Sequence, residues 1–244
     1  MKFQIVILVV VGLSESARLP RNFKKCNRAK TDFDVCLLDA VKNAVPQFTR
    51  PYKEIDAPNF APLEINAIDL DIERNKISVK QKLRNCKFSG FNEIQFRVFK
   101  IDFENKFMEI SGLFPEFKND CEYEVSGKVI ILPIQGKGSA TTVAKALDVY
   151  LKVPFNETSK NGNTYLHFDN PAMNVTVGDI HFQVDNLFNG DKALGDKMNE
   201  FLNENAKEIF EEVKEDYMKL MSDIGLNIMN RIFLKVPVEE VFDG

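Results

Sequence analysis

Between Leu194 and Ile228 the apolar residues return at every third or fourth position. Leu194, Met198, Phe201, Leu202, Ile209, Val213, Tyr217, Leu220, Ile224 and Ile228 share one stripe, with Asn205 on it. The opposite face carries Lys197, Glu200, Glu204, Lys207, Glu211, Glu215 and Lys219, and no proline interrupts the pattern before Pro237. This spacing predicts one helix of about 35 residues, about 50 Å long at about 1.5 Å per residue. That exceeds the diameter of a small compact domain. A helix so long with one apolar stripe must be covered along its length by something equally long.

The only candidate cover is the segment from Leu63 to about Val184, where the apolar period changes to two. Ile68, Leu70 and Ile72 alternate with Asp69, Asp71 and Glu73, and Leu147, Val149, Leu151 and Val153 alternate with Asp148, Tyr150 and Lys152. Leu166 and Phe168 flank His167, and Phe182 and Val184 flank Gln183. Such half-buried strands argue for antiparallel pairing, because buried parallel strands read as continuous apolar runs. Gly90, Gly112, Gly127, Gly136 and Gly138 suggest bulges and bends in a strongly curved sheet. Upstream, Thr31 and Asp34 resemble a capping box before Val35, Leu37, Leu38, Val41 and Val45, a short amphipathic helix stopped by Pro46. The expected fold is α+β: a highly curved antiparallel sheet wrapped around a long C-terminal helix, with a short N-terminal helix. No linker or internal repeat divides residues 17–244, which are expected to form a single domain.

Composition limits what the interior can be. There are 21 Phe, 5 Tyr and no Trp, and eight of the Phe lie between Phe88 and Phe117. Phe supplies apolar area without a polar handle, so a large, dry aromatic interior is expected. A net charge of −4 and the lack of a basic stripe argue against nucleic acid as a partner. At the N-terminus, Lys2 precedes the apolar run Ile5 to Gly12, and Ser14 and Ser16 stand like cleavage-site residues. Residues 1–16 are therefore expected to be a signal peptide and the chain to be secreted, extracellular. In that compartment four cysteines default to disulfides. Of the three possible pairings, Cys26 with Cys36, close in sequence around a turn, is expected, which leaves Cys86 with Cys121 provided that their two distant strands meet within about 7 Å at Cα. Two glycosylation sequons stand at Asn156 and Asn174.

The sequence carries little catalytic chemistry. The Walker A, HExxH and GxSxG patterns are all missing, and the only histidines, His167 and His181, sit on the wet side of alternating segments. Gly136-Lys137-Gly138-Ser139 lacks phosphate-loop spacing and is expected to be a β-bend, while Asp69 and Asp71, with Glu73, read as a solvated face. No cofactor, metal or catalytic residue is assigned, and the chain is not expected to be an enzyme. A sheet curled around one helix readily leaves an apolar void along it, and binding sites of that kind are lined by apolar and aromatic side chains.

Several ordered pieces carry a family resemblance. They are Cys26 with Cys36-Leu37-Leu38-Asp39-Ala40-Val41, Pro58-Asn59-Phe60-Ala61-Pro62-Leu63, and Gly127-Lys128-Val129 through Leu132-Pro133-Ile134-Gln135-Gly136-Lys137-Gly138. The strongest runs from Asn186-Leu187-Phe188-Asn189-Gly190-Asp191-Lys192 through Leu194-Gly195 and Met198-Asn199 to Phe201-Leu202-Asn203-Glu204-Asn205, and Ile232-Phe233 with Val236-Pro237 closes the series. The chain resembles the insect takeout and haemolymph juvenile-hormone-binding proteins. The resemblance implies the super-roll of tubular lipid-binding proteins, with an elongated tunnel for a small hydrophobic ligand: a terpenoid hormone, a fatty-acid-like molecule or a pheromone-like volatile. It also implies the Cys26–Cys36 bridge. The expected tunnel lining is Phe96, Val98, Ile110, Val129, Ile131, Val149, Leu151, Phe168, Met198, Phe201, Leu202, Ile209, Val213, Tyr217 and Leu220. The expected protein is a monomeric carrier, with the N-terminal helix as a candidate lid. A membrane-docking lipid-transfer role is the alternative, with Lys24, Lys25, Arg28 and Lys30 near Phe23 as the candidate contact.

Overall fold

The structure is a computed structural model that describes residues 17–244. The expected signal peptide, residues 1–16, lies outside the described residues. In chain order the elements are β1 (Cys26–Asn27), α1 (Phe33–Ala44), β2 (Leu63–Glu73), β3 (Ile77–Ser89), β4 (Gln95–Asp102), β5 (Phe107–Val129) and β6 (Leu132–Lys160). Then follow β7 (Asn163–Phe168), β8 (Ala172–Thr176), β9 (Asp179–Val184), α2 (Lys192–Glu204), α3 (Ala206–Phe233), α4 (Val238–Val241) and β10 (Phe242–Asp243).

The spine of the sheet is one hairpin, β5 and β6, paired from Val129↔Leu132 to Phe107↔Pro154. Each of its long strands takes several shorter partners in turn. β4 and then β3 pair along β5, and β9, β8 and β7 succeed one another along β6. With β2 outside β3, the result is an eight-stranded antiparallel sheet curled around the C-terminal helix. This is the α+β architecture expected from the two periodicities.

The curvature has a local cause. Along β5 the inward residues are Met108, Ile110 and Phe114, and then Phe117, Cys121, Tyr123 and Val125. Along β6 they are Ile134, Ala140 and Ala144, and then Leu147, Val149, Leu151, Val153 and Phe155. On both strands the inward parity reverses at the same place, where Pro115, Glu116, Lys145 and Ala146 are all exposed. Ala146 has φ 50 there, and the Gly178 N–H donates to both the Lys145 and Ala146 carbonyls, at 3.1 and 3.2 Å. An irregularity of this kind bends a strand and re-aims its side chains. Gly136 and Gly138, expected in a β-bend, instead lie within β6. The Asp185–Leu187 backbone crosses directly over them, so that a Cβ on Gly138 would stand 2.6 Å from the Asp185 carbonyl oxygen.

The core divides accordingly. One cluster joins β2, β3 and the turn-proximal halves of β5 and β6 to Met198, Leu202 and Ile209. A second, at the other end, gathers Ile101, Met108, Val153, Phe155, Leu166 and Phe168 around Leu37 of α1, Val238 of α4 and Phe242. Here β1 pairs parallel to β10. α1 begins at Phe33 after Asp32, with no side-chain cap, so the expected Thr31–Asp34 capping box does not form.

The C-terminal helix is not continuous. α2 and α3 meet at Asn205, whose φ of −107 and ψ of 15 leave the helical region. Its Nδ2 donates to the Phe201 carbonyl at 2.7 Å, competing with the backbone for an i−4 acceptor, a known cause of helix irregularity. The remaining α3 still spans about 42 Å at about 1.5 Å per residue.

Three asparagines hold this helix to the sheet. Asn199 and Asn203 each accept from and donate to one residue of β9, Val184 and Phe182 respectively, with all four bonds at 2.8 Å. Asn230 does the same to Phe168 of β7, at 2.7 and 3.0 Å. The spacing explains the match: residues four apart on a helix rise about 6 Å, close to the about 6.6 Å between alternate residues of a strand. The side chains thus occupy a sheet edge that would otherwise present free N–H and C=O groups.

Both disulfides form as paired in the sequence, Cys26–Cys36 and Cys86–Cys121. The second links β3 to β5 beside the register shift between Arg84 and Lys87, and Cys86 is 0% exposed. Chain-entropy arithmetic favours the longer loop: replacing Cys86 and Cys121 together with alanine should cost about 4 kcal/mol, and Cys26 with Cys36 about 2.5 kcal/mol. Denaturant unfolding of the two double variants checks the order. An equal or reversed order would show that packing at Cys86 outweighs loop closure.

Candidate functional site

The interior face of α3 has an unusual burial pattern. From Phe210 to Phe233 the exposed residues are Glu211, Glu215, Lys219, Asp223, Asn227 and Arg231, spaced four apart, and every other residue is half-buried. None of this stretch is buried, although Ala206 and Ile209 just before it are. The fully exposed line is narrow, although the charged Glu212, Lys214 and Asp216 are among the half-buried residues, and the curled sheet covers the apolar side of the helix. A close-packed interior would then leave the wrapped side chains no accessible surface. Instead Val213, Leu220, Met221, Ile224 and Ile228 all keep accessible surface while packing toward the first core cluster. Leu226, Met229 and Phe233 do so toward the second.

The helix is also tied down mainly near its two ends. The asparagine clasps lie at positions 199, 203 and 230, and ion pairs join Lys76 to Glu208 at 2.6 Å and Arg231 to Asp56 at 2.6 Å. Toward the middle, Arg74 grips Asp216 with two bonds, at 2.9 and 3.0 Å. One polar contact reaches inward here: the Tyr217 hydroxyl donates to Gln81 Oε1 at 2.7 Å. Burial pushes the Tyr217 hydroxyl up to about 12, with nearby Asp216 adding to the rise against the Gln81 bond. Tyr217 nevertheless remains half-buried by surface.

The expected lining residues separate into groups. Val129, Met198, Leu202 and Ile209 are buried in the first cluster, and Phe168 in the second. Phe201, Val213, Tyr217 and Leu220 are half-buried against the first, Ile110 and Leu151 against the second. Val149, half-buried, pairs with Gly112 and Val175 between the clusters, and Phe96 stacks edge-on against Phe99. Two expectations are corrected. Ile131 is 75% exposed in the turn joining β5 to β6, so it faces solvent. Val98 pairs with Ser111, after the register shift between Phe96 and Val98, and so lies on the face opposite Ile110. A one-residue slip moves a side chain to the other side of a sheet, and alternation alone does not reveal it.

Gln81 was missed as an interior residue. On β3 it shares the inward row of Ile77, Val79 and Leu83, while Lys80 and Lys82 face out. A polar residue at an apolar beat of a period-two pattern was the available signal. Asn199, Asn203 and Asn230 were missed as clasps; poor helix formers retained inside a long helix were the signal there.

Other candidate groups are engaged within the chain or point outward. Lys24 pairs with Asp39 at 2.7 Å and Lys25 with Glu240 at 3.3 Å. Arg28 bonds the Gly244 carbonyl and stacks on Phe103, and Phe23 packs on Phe48 and Tyr52. His167 and His181 are exposed, and Asp69 and Asp71 pair with Arg84 and Lys80. Among the described residues no group of three or more metal-ligating side chains forms, and no helix is long and apolar enough to cross a membrane. Asn156 and Asn174 are both exposed on strands β6 and β8.

Residues 4–243 match the family model described as haemolymph juvenile hormone binding protein. The circadian clock-controlled protein daywake of Drosophila melanogaster is 24% identical, with 98% of this chain and 96% of that protein covered. Its counterpart in Drosophila yakuba is 21% identical, covering 94% and 90%. The crystal structure of Epiphyas postvittana Takeout 1 has a TM-score of 0.79 at 24% identity, covering 90% of this chain and 99% of that one. It shares this fold: a curled antiparallel sheet around a long C-terminal helix.

Proposed function

The chain belongs to the haemolymph juvenile hormone binding protein family, and from that premise we propose that it is a secreted, monomeric carrier. It holds one small hydrophobic ligand in an internal apolar tunnel between the sheet and α3, and it catalyses no reaction. The carrying observation is the stretch from Phe210 to Phe233, wrapped by the sheet yet without a single buried residue. The tunnel runs along α3 beside the first packed cluster, walled on the helix by Val213, Tyr217, Leu220, Met221, Ile224 and Ile228. The driving force is desolvation: a ligand burying about 400 Å² gains about 10 kcal/mol before ordering costs. Terpenoids, fatty-acid-like molecules and pheromone-like volatiles all have that much apolar surface. Residues 17–244 act as one domain, with residues 1–16 removed on secretion and Asn156 and Asn174 available for glycosylation. The two disulfides suit an oxidising, extracellular address.

The test is native mass spectrometry of protein purified from its source, with displacement of a fluorescent naphthyl probe as the second arm. The expected result is a stoichiometric apolar molecule and saturable probe binding. A bare mass together with no probe binding would remove the carrier reading.

A further inference from the structure

Resting on the carrier reading, we propose that the Tyr217–Gln81 pair is the polar anchor of the interior. It selects ligands whose single polar end is a neutral oxygen-bearing group, such as an ester, ketone or alcohol, over ligands that end in a carboxylate.

The argument begins with the isolation of the pair. Gln81 faces inward between Val79 and Leu83, which are 7% and 6% exposed. Its neighbours across the sheet are Leu70 on β2 and Val125 on β5. An amide is costly in such a place unless it is bonded. The Tyr217 hydroxyl satisfies one end, its oxygen 2.7 Å from Oε1. The Nε2 end makes no hydrogen bond to a described residue, and among the described residues no buried side-chain nitrogen or oxygen is left without a partner. The amide nitrogen therefore keeps accessible surface beside the half-buried Tyr217. A donor held in orientation by a tyrosine among apolar neighbours suits an oxygen acceptor on a ligand. The tyrosine oxygen can in turn accept from an alcohol.

The same surroundings disfavour an anion. Among the described residues no charged side chain is buried. The charged residues beside the pair in sequence are already matched: Lys80 with Asp71, Lys82 with Glu124, and Asp216 with Arg74. A carboxylate seated at Gln81 would lose its water without gaining a cation.

The experiment compares methyl hexadecanoate, 1-hexadecanol and hexadecanoate as competitors for a bound naphthyl probe at pH 8. The ester and the alcohol are expected to displace it at concentrations lower by about 10-fold or more than the acid. Gln81→Leu should reduce the ester-over-acid ratio by about 3- to 10-fold, the worth of one neutral hydrogen bond. Tyr217→Phe keeps the ring and should move the ratio in the same direction. A pair that only tethers helix to sheet would weaken all three competitors alike with the ratio unchanged, and that result overturns the proposal. Equal displacement by hexadecanoate in the unsubstituted protein also overturns it while leaving the carrier reading intact. If neither the probe nor any competitor binds, both fall together.

Discussion

Replacing Leu220 or Ile224 with tryptophan is expected to weaken binding of an apolar probe by about 100-fold while the protein stays folded. Both side chains are half-buried on the wrapped face of α3. A tryptophan that takes over about 110 Å² of ligand contact removes about 2.8 kcal/mol, which is about 100-fold in affinity. The stability arm makes the test decisive. Filling a void costs the fold little. Forcing a larger ring into a solid core costs about 1–3 kcal/mol, or about 2–12 °C in melting temperature for a domain of this size. Lost binding with an unchanged midpoint supports a tunnel at this place. A lowered midpoint with no specific loss of binding would mean that the middle of α3 is ordinary core.

The second large effect concerns how the helix is held. Asn199→Ala combined with Asn203→Ala is expected to destabilise the protein by about 4–6 kcal/mol, lowering the melting temperature by about 8–24 °C. Each alanine removes a side chain that bonds both backbone groups of a β9 residue and leaves that N–H and C=O unpaired. The unpaired edge, more than the lost bonds, dominates the cost. Aspartate at either position is the informative control. It retains an acceptor for the strand N–H but sets a carboxylate against the strand carbonyl, so it should recover less than half of the loss. A double variant that melts within about 3 °C of the parent would show that water replaces the clasps at little cost.

These two predictions fall on opposite sides of what a linear reading could reach. The α2–α3 stripe, its polar face of Lys197, Glu200, Glu204, Lys207, Glu211, Glu215 and Lys219, and the strands around Ile68 and Val149 were all legible. Amphipathic periodicity is a local property, fixed by the pitch of a helix or the pleat of a strand. The cysteine pairing was accessible for a similar reason, because few alternatives exist for four cysteines. The family resemblance pointed to the same architecture independently. The kink was harder to see. Asn205 falls on the stripe by spacing, yet its side chain takes a backbone acceptor where the helix breaks.

By itself, then, the sequence determined the elements, their apolar faces and the need for a long curved cover over a long helix. Only the tertiary structure decided which inward residues meet one another and which keep open surface. A period-two apolar position looks the same whether it ends up buried, as Met108 does, or half-buried, as Val149 does. The difference depends on how the sheet bends at Pro115 and Ala146 and on where Asn199, Asn203 and Asn230 bind the helix to it, and both are contacts between distant parts of the chain. The same geometry placed Ile131 in solvent, turned Val98 away and brought Gln81 to Tyr217 across 136 residues of chain. No local pattern encodes such relations, because they arise only when the sheet closes around the helix.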